Sequence, residues 1–366
     1  MFSSRFLRNF DWVLFAVMMF LACLGILVIY STTIKATGPA GSDALKQAIF
    51  LLVGLGVFWF TAMLDYRIFR NWAWGLYGLS LVLLVLVKVL GKTALGATRW
   101  IDLGFFQLQP SELAKLALIL VLAKYLSDHY DEMEHIKHLL ISGLIMTVPL
   151  VLVFTQPDFG TAMVLFAIWV SMIVVTKAKK IYLLGGAFAG LLVSPVVYSL
   201  LKDYQKKRIE TFLDPSGDPL GTGYNVVQST IAVGSGRLFG RGLGFGPQSQ
   251  LNFLPAQHTD FIFAVLAEKL GLVGSVILLG LFGVLIFRGV KIATLARDHF
   301  GSLLAVGITA MILFHVFINV GMNMGIAPVT GIPLPLLSYG GTSLIVTLIG
   351  LGILQSIITR HKTIEF

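Results

Sequence analysis

Residues 12–30 read WVLFAVMMFLACLGILVIY, nineteen positions without a charge. That is the length a helix needs to cross the hydrocarbon of a bilayer, about 20 residues at 1.5 Å each. Arg5 and Arg8 precede the stretch, as in a secretory signal peptide. It outlasts a signal h-region, however, and no A-x-A cleavage pattern follows, so it is expected to persist as a first span. Taking that run as about 12–31 and working outward, similar runs recur at about 46–64, 72–90, 111–127, 138–156, 159–176, 181–201, 261–287, 301–321 and 340–359. Lipid offers the backbone no hydrogen-bond partners, so each run must be helical. The expected fold is therefore an all-α polytopic membrane protein with about ten transmembrane helices. It forms a single integral membrane domain over 1–366, with a large extracytoplasmic loop over 202–260, between the seventh and eighth helices.

Composition supports this. Of 366 residues, 57% are apolar and only 12% charged, about half the charged share of a soluble domain. The net charge of +9 invites a nucleic-acid reading, but Lys and Arg collect in short loops between apolar runs. With the N-terminus inside, fourteen lie at inner ends and loops, from Arg5 and Arg8 through Arg67, Arg70 and Lys177 to Lys362. The short outer loops hold four: Lys35, Lys46, Lys92 and Arg99. That asymmetry places both termini in the cytoplasm. It asks for no nucleic acid, only membrane lipid. The one cysteine, Cys23, supports neither a disulfide nor a metal cluster and is expected to be a small packed residue.

Three stretches break the apolar rhythm on the outer side: 91–112, 202–260 and 325–341. A loop of nearly 60 residues far exceeds an ordinary connection, and function concentrates on loops held by a rigid scaffold. Within 202–260, Gly240-Arg-Gly-Leu-Gly-Phe-Gly246 could display backbone amides to a ligand. No Gly-Lys-Ser/Thr follows and no strand precedes, so it is neither a Walker loop nor a dinucleotide fingerprint. A flexible loop and a ligand cradle remain open for it.

Asp260 stands where the eighth run begins. It could cap that helix or occupy its first turn. Alternatively it could take a proton from a hydroxyl at the outer membrane edge, or hold a divalent cation. A helix N-terminus would lower its pKa, so a base there needs desolvation or a neighbouring acid to offset that. His258 reads as a loop histidine before a catalytic one. Glu112 and Lys115, three apart, share a helical face and read first as a structural ion pair. Asp158, in Gln156-Pro-Asp-Phe-Gly-Thr161, could cap the sixth helix or face a cavity. Glu268 and Lys269 should face the bundle interior. Asn319 and Asn323 precede the run 328–342, which includes Ser338; its prolines and glycines forbid a continuous helix, and a re-entrant loop shielded from lipid fits it.

Leu254-Pro-Ala-Gln-His-Thr-Asp-Phe-Ile-Phe-Ala264 followed by Glu268 and Gly271, Thr330-Gly-Ile-Pro-Leu-Pro-Leu-Leu-Ser-Tyr-Gly-Gly-Thr-Ser343, Gln156 to Thr161 and Gln109-Pro-Ser-Glu-Leu-Ala-Lys115 resemble the signature blocks of the SEDS family (shape, elongation, division and sporulation). The resemblance covers nearly the whole chain. Ser249-Gln-Leu-Asn-Phe-Leu254 and the Ile-Pro-Leu-Pro form of the last loop resemble its RodA branch more than its FtsW branch. The chain departs from the family pattern at Ala256-Gln257, where Glu-Arg or Glu-Ala is expected. The resemblance implies an inner-membrane peptidoglycan glycosyltransferase that polymerises lipid II during elongation and releases undecaprenyl pyrophosphate on the periplasmic face. It implies Asp260 as the essential aspartate, the pair Glu112–Lys115, and Asp158 as a further family acid. It also implies a class B penicillin-binding protein transpeptidase as partner, within the elongation (rod) complex. Lys206, Lys207, Arg208, Arg237 and Arg241 are candidates to neutralise the pyrophosphate, with at least half of them expected to be plain loop charges; magnesium or manganese could share that task. A lipid II flippase and a scaffold for the transpeptidase are the rivals.

Overall fold

The structure, a computed structural model, describes residues 8–33, 41–94, 97–102, 104, 106–200, 203–217, 221–251 and 253–361. Arg5, Lys35 and Lys362, used in the charge count, lie outside the described residues. A helix stands on every apolar run: α1 (Trp12–Thr33), α2 (Gly41–Met63), α3 (Ile68–Leu90), α4 (Pro110–Asp128), α5 (Ile136–Phe154), α6 (Phe159–Val174) and α7 (Lys180–Leu200). After the long connection come α11 (Ile262–Leu295), α12 (His299–Asn323) and α13 (Gly341–Thr359). Among the described residues, seven of these (α1, α2, α3, α5, α11, α12 and α13) are long and apolar enough to cross a membrane. Helix α6 is apolar but shorter, at 16 residues, and α7 carries a shorter apolar stretch over Lys180–Leu192. Helix α4 is long enough but carries Glu112, Lys115 and Lys124 along its length.

Two features go beyond a bundle of helices joined by plain loops. A small antiparallel sheet of order β1-β2-β3, formed by β1 (Lys92–Ala94), β2 (Ala97–Asp102) and β3 (Gln107–Leu108), fills the first outer stretch. The 202–260 connection is built rather than plain: it holds α8 (Asp203–Leu213), α9 (Thr222–Ser235) and the short α10 (Pro247–Gln250).

The centre of the bundle is α4, buried along almost its whole length and packed by α3, α5, α6, α12 and α13. Around it α2 packs on α13, α1 on α11, and α11 on α12. Small residues let these backbones close up, as is usual where lipid gives no hydrophobic drive. A Cβ on Gly352 of α13 would lie 2.0 Å from Thr61 of α2. By contrast Cys23, expected to be packed, is exposed on α1, on a face shared with Phe20 and Leu27; a thiol is apolar enough to stand in lipid.

Charges sort to the two ends of the bundle. At one end Arg288 donates to Asp11 through Nε (2.7 Å) and Nη2 (2.6 Å), Arg67 lies 3.4 Å from Asp298, and Arg70 meets Asp128. Lys177 and Asp131 join at 2.6 Å. Asp11 and Asp298 also cap α1 and α12 through Leu14 N–H and Gly301 N–H. At the opposite end lie the residues of the candidate site.

Helix α11 is broken at Gly271 (φ 69°, ψ −165°). A break inside a span strands backbone groups that lipid cannot satisfy. Here the preceding loop takes them. The N–H groups of Arg241 and Gly242 donate to Glu268 O and Lys269 O, while Leu272 N–H and Val273 N–H donate to Arg237 O and Leu238 O, all within 2.8–3.1 Å.

Candidate active site

Asp260 sits in a tight turn before α11. Ala256 (φ 51°) offers its carbonyl to the N–H groups of Thr259, Asp260 and Phe261. The cap position of α11 falls to Phe261, and no side chain caps it. Asp260 therefore stands one position ahead of the cap, neither capping the helix nor occupying its first turn. Instead its main chain is clamped. Asn319 Nδ2 and Asn323 Nδ2 of α12 donate to the Asp260 carbonyl at 2.9 and 3.0 Å. Asn319 also reaches Ile332 O (2.7 Å), and Asn323 Oδ1 accepts from Ala264 N–H (3.1 Å).

The segment 324–340 contains no helix, and much of it is buried, including Ile332, Leu334, Leu336 and Leu337. It enters the bundle so closely that a Cβ on Gly25 of α1 would meet Leu337 O at 2.7 Å. Buried and irregular, the segment fits the expectation of a re-entrant loop, and it fastens the Asp260 turn from a second side. Ser338 Oγ donates to Thr259 O (2.6 Å) and accepts from Leu334 N–H (2.8 Å). Tyr339 N–H donates to His258 O (2.8 Å). Gln47 of α2 holds the loop in turn, through Ser338 O and Gly340 N–H. Gly331 (φ 73°) passes the carboxylate, with a Cβ there placed 3.5 Å from Asp260 Oδ2.

Burial pushes the Asp260 carboxyl up to about 6. The Thr259 hydrogen bond and the charges of Arg208 and Arg99 oppose the rise, and the Asp158 charge adds to it. A partly buried carboxylate under the charge of two arginines is thus ionised near neutrality yet basic enough to accept a proton. Arg208 of α8 donates to Thr330 O (3.3 Å) and lines the hollow between α8 and residues 328–330 with Gln205 and Phe159. Arg99 of β2 donates to the carbonyls of Gln156 and Pro157 and stands 3.9 Å from Asp158 Oδ1. Asp158 does cap α6, accepting from Thr161 N–H (3.2 Å) and Thr161 Oγ1 (2.9 Å). It also touches the start of α4 through Ser111 Oγ at 3.5 Å.

The other expected residues separate. His258 is partly buried and bonds Thr32 Oγ1 of α1 at 3.1 Å. Burial lowers its pKa, and the contact suits a loop histidine that ties the turn to α1. Glu112 and Lys115 form the expected ion pair, at 2.8 Å and almost wholly buried. Lys115 Nζ also donates to His315 Nε2 of α12 (2.8 Å), whose Nδ1 lies 2.6 Å from Met311 O. Arg237 and Arg241 are exposed beside the Gly271 break, and neither figures among the charges acting on Asp260. Lys206 reaches Ser199 O (3.3 Å) and Lys207 is exposed.

The glycine-rich run spends several of its amides, with Gly240 N–H on Gly236 O and Phe245 N–H on Gly242 O. Those of residues 241 and 242 are consumed at the break, and Gly246 packs on Glu268. Glu268, fully buried, accepts from the N–H groups of Gln248 (3.0 Å) and Ser249 (3.1 Å), capping α10. Lys269 Nζ donates to Ser31 Oγ (2.6 Å). Both face the interior as expected. Among the described residues no group of three or more His, Cys, Asp or Glu is arranged to hold a metal, and both Asp158 oxygens already have partners.

Sequence reasoning placed Asp260, Asp158, Arg208 and Ser338 in this neighbourhood but counted Arg99 only as an outer-loop charge. It noticed Asn319 and Asn323 without a role, and it missed His315. Their signal is weak but real: a polar side chain inside an apolar run needs a partner.

The chain is similar over nearly its whole length to known proteins. The peptidoglycan glycosyltransferase MrdB of Escherichia coli K12 is 41% identical over 353 residues, covering 95% of this chain and 94% of that protein. A probable peptidoglycan glycosyltransferase FtsW of Trichlorobacter lovleyi is 38% identical, covering 96% and 93%. Among solved structures, a chain from a peptidoglycan synthase complex that coordinates polymerization and crosslinking superposes with a TM-score of 0.81 at 36% identity, covering 95% and 97%. The rod shape-determining protein RodA of Thermus thermophilus gives 0.70 at 32%, covering 97% and 98%. The model of the FtsW/RodA/SpoVE cell cycle proteins matches residues 11–363. The chain belongs to that family, the SEDS proteins.

Proposed function

We propose that this protein is a peptidoglycan glycosyltransferase that joins lipid II units into glycan strands, with Asp260 as general base. The observation that carries the reading is the Asp260 carboxyl, raised to about 6 by burial and fixed at the start of a span beside Arg99 and Arg208. A base works best with a pKa near the working pH, and the two guanidinium groups suit a diphosphate leaving group. The acceptor's GlcNAc 4-hydroxyl gives its proton to Asp260 as its oxygen attacks C1 of the donor's MurNAc. The C1–oxygen bond to undecaprenyl pyrophosphate breaks, and the α-linked donor becomes a β-linkage by inversion. Asp260 would be the residue to hold a magnesium or manganese ion, which would neutralise charge on the diphosphate.

The chain is read as ten spans of one integral domain in the inner membrane, with both termini cytoplasmic. Segment 202–260 and the site then lie on the periplasmic face, so that a lipid-linked sugar meets Asp260 at the membrane edge. Names of the relatives support the activity, and the synthase complex supports a class B penicillin-binding protein as the crosslinking partner. The ion pair Glu112–Lys115 and Ser338 serve as support, with Arg237 and Arg241 as more distant diphosphate candidates.

The test is labelled lipid II added to the purified protein in detergent, with and without the transpeptidase. Glycan polymer is expected. No polymer under either condition, together with labelled lipid crossing liposome bilayers, would favour a flippase.

A further inference from the structure

We infer that the segment from α9 to α10 is seated in the outer leaflet of the bilayer, as an interfacial collar that grips lipid phosphates with Arg237 and Arg241. Its sequence is one-sided in charge: residues 219–259 contain no Asp or Glu and two Arg. Its surface is apolar where a water-facing loop would be polar. Phe239 is 81% exposed, Phe245 69% and Leu251 64%, with Leu238 beside them. Helix α9 continues the same face. Its Val226, Ser229 and Ala232 are buried, and Ser229 Oγ bonds Asn323 O of α12 (2.8 Å). One step round the helix, Val227 and Ile231 point outward.

The depth of this surface follows from the Gly271 break. Leu272 N–H and Val273 N–H bond the carbonyls of Arg237 and Leu238 at 2.8 and 3.1 Å, so the collar lies level with those residues. There the exposed apolar face of α11 begins, with Leu272, Val273, Val276 and Ile277. A surface joined to a lipid-facing span, apolar and bearing only positive charge, has the chemistry of a monotopic anchor on anionic lipid. Such an anchor would hold the re-entrant site at the membrane edge. The inference rests on the placement of the chain in a membrane and not on glycosyl transfer.

Spin labels at Phe239→Cys or Phe245→Cys, in the full chain carrying Cys23→Ser and in nanodiscs of phosphatidylethanolamine and phosphatidylglycerol, test it. Oxygen concentrates in lipid and a nickel chelate in water. The oxygen-to-nickel collision ratio is expected to match a label at Ile277→Cys within about twofold and to exceed one at Lys207→Cys by about tenfold. In Arg237→Gln/Arg241→Gln, nickel access at position 239 is expected to rise about twofold; unchanged access would overturn the phosphate contact. Nickel access equal to the Lys207 label would overturn the collar. So would low collision with both reagents, or protection from nickel that appears only when the transpeptidase is added, since the surface would then belong to a protein contact.

Discussion

Asp260 owes its chemistry to what surrounds its main chain as much as its carboxylate. Two asparagine amides of α12 and the Ser338 hydroxyl hold the turn, and burial raises the acid. If its ionised form is the working one, polymerisation should rise about tenfold per pH unit below pH 6 and level off above it. A rate flat from pH 5 to 7 would contradict that assignment. Asn323→Ala removes a donor from the Asp260 carbonyl and an acceptor from Ala264 N–H, each bond contributing about 1 kcal/mol. It should cut the maximal polymerisation rate roughly tenfold while leaving the melting temperature within a few degrees, as paired activity and thermal-unfolding assays would read. The buried Glu112–Lys115 pair behaves differently. Lys115→Met alone should destabilise by about 3–5 kcal/mol, because it strands a buried carboxylate, and the double variant with Glu112→Gln should recover most of that loss. Thermal unfolding in detergent separates the two. Asp260 was legible from its motif. Its place one position ahead of the α11 cap was not, because that depends on the turn at Ala256, which no local propensity dictates.

Individual helices follow from apolar runs because lipid leaves the backbone one alternative. Their interruptions are harder to read. The α11 run looks continuous in sequence, and Gly271 alone marks a break that works only because Arg237, Leu238, Arg241 and Gly242 arrive from far along the chain to satisfy it. Its backbone lies in a region open to glycine, and a Cβ would stand 2.3 Å from Gly240 N. Gly271→Ala should therefore destabilise by about 1–3 kcal/mol or more and loosen the 236–246 segment, as proteolysis of that loop would report. The Gly240–Gly246 run could not be assigned between cradle and loop from sequence, since the spent amides belong to a contact made only in three dimensions. The small sheet at 92–108 was invisible for a related reason: strands of two to six residues carry too little periodicity to register.

At the scale of the whole molecule, two poles of charge bracket an apolar bundle, and the site occupies one of them. The sequence revealed this through the asymmetry of its Lys and Arg, while the convergence of β2, α8, the α11 turn and the 324–340 loop on one point is a property of packing. The proposed orientation requires a cysteine at Lys177 to react with a membrane-impermeant maleimide only from the cytoplasmic side, and one at Lys207 only from the periplasmic side; the reverse labelling would invert the protein. The central claim is tested most directly by polymerisation of labelled lipid II by Asp260→Ala in complex with its transpeptidase, beside wild type. The variant should keep the fold and lose about 10²–10⁴-fold in rate. Polymer formed at the wild-type rate would show that Asp260 is not the base.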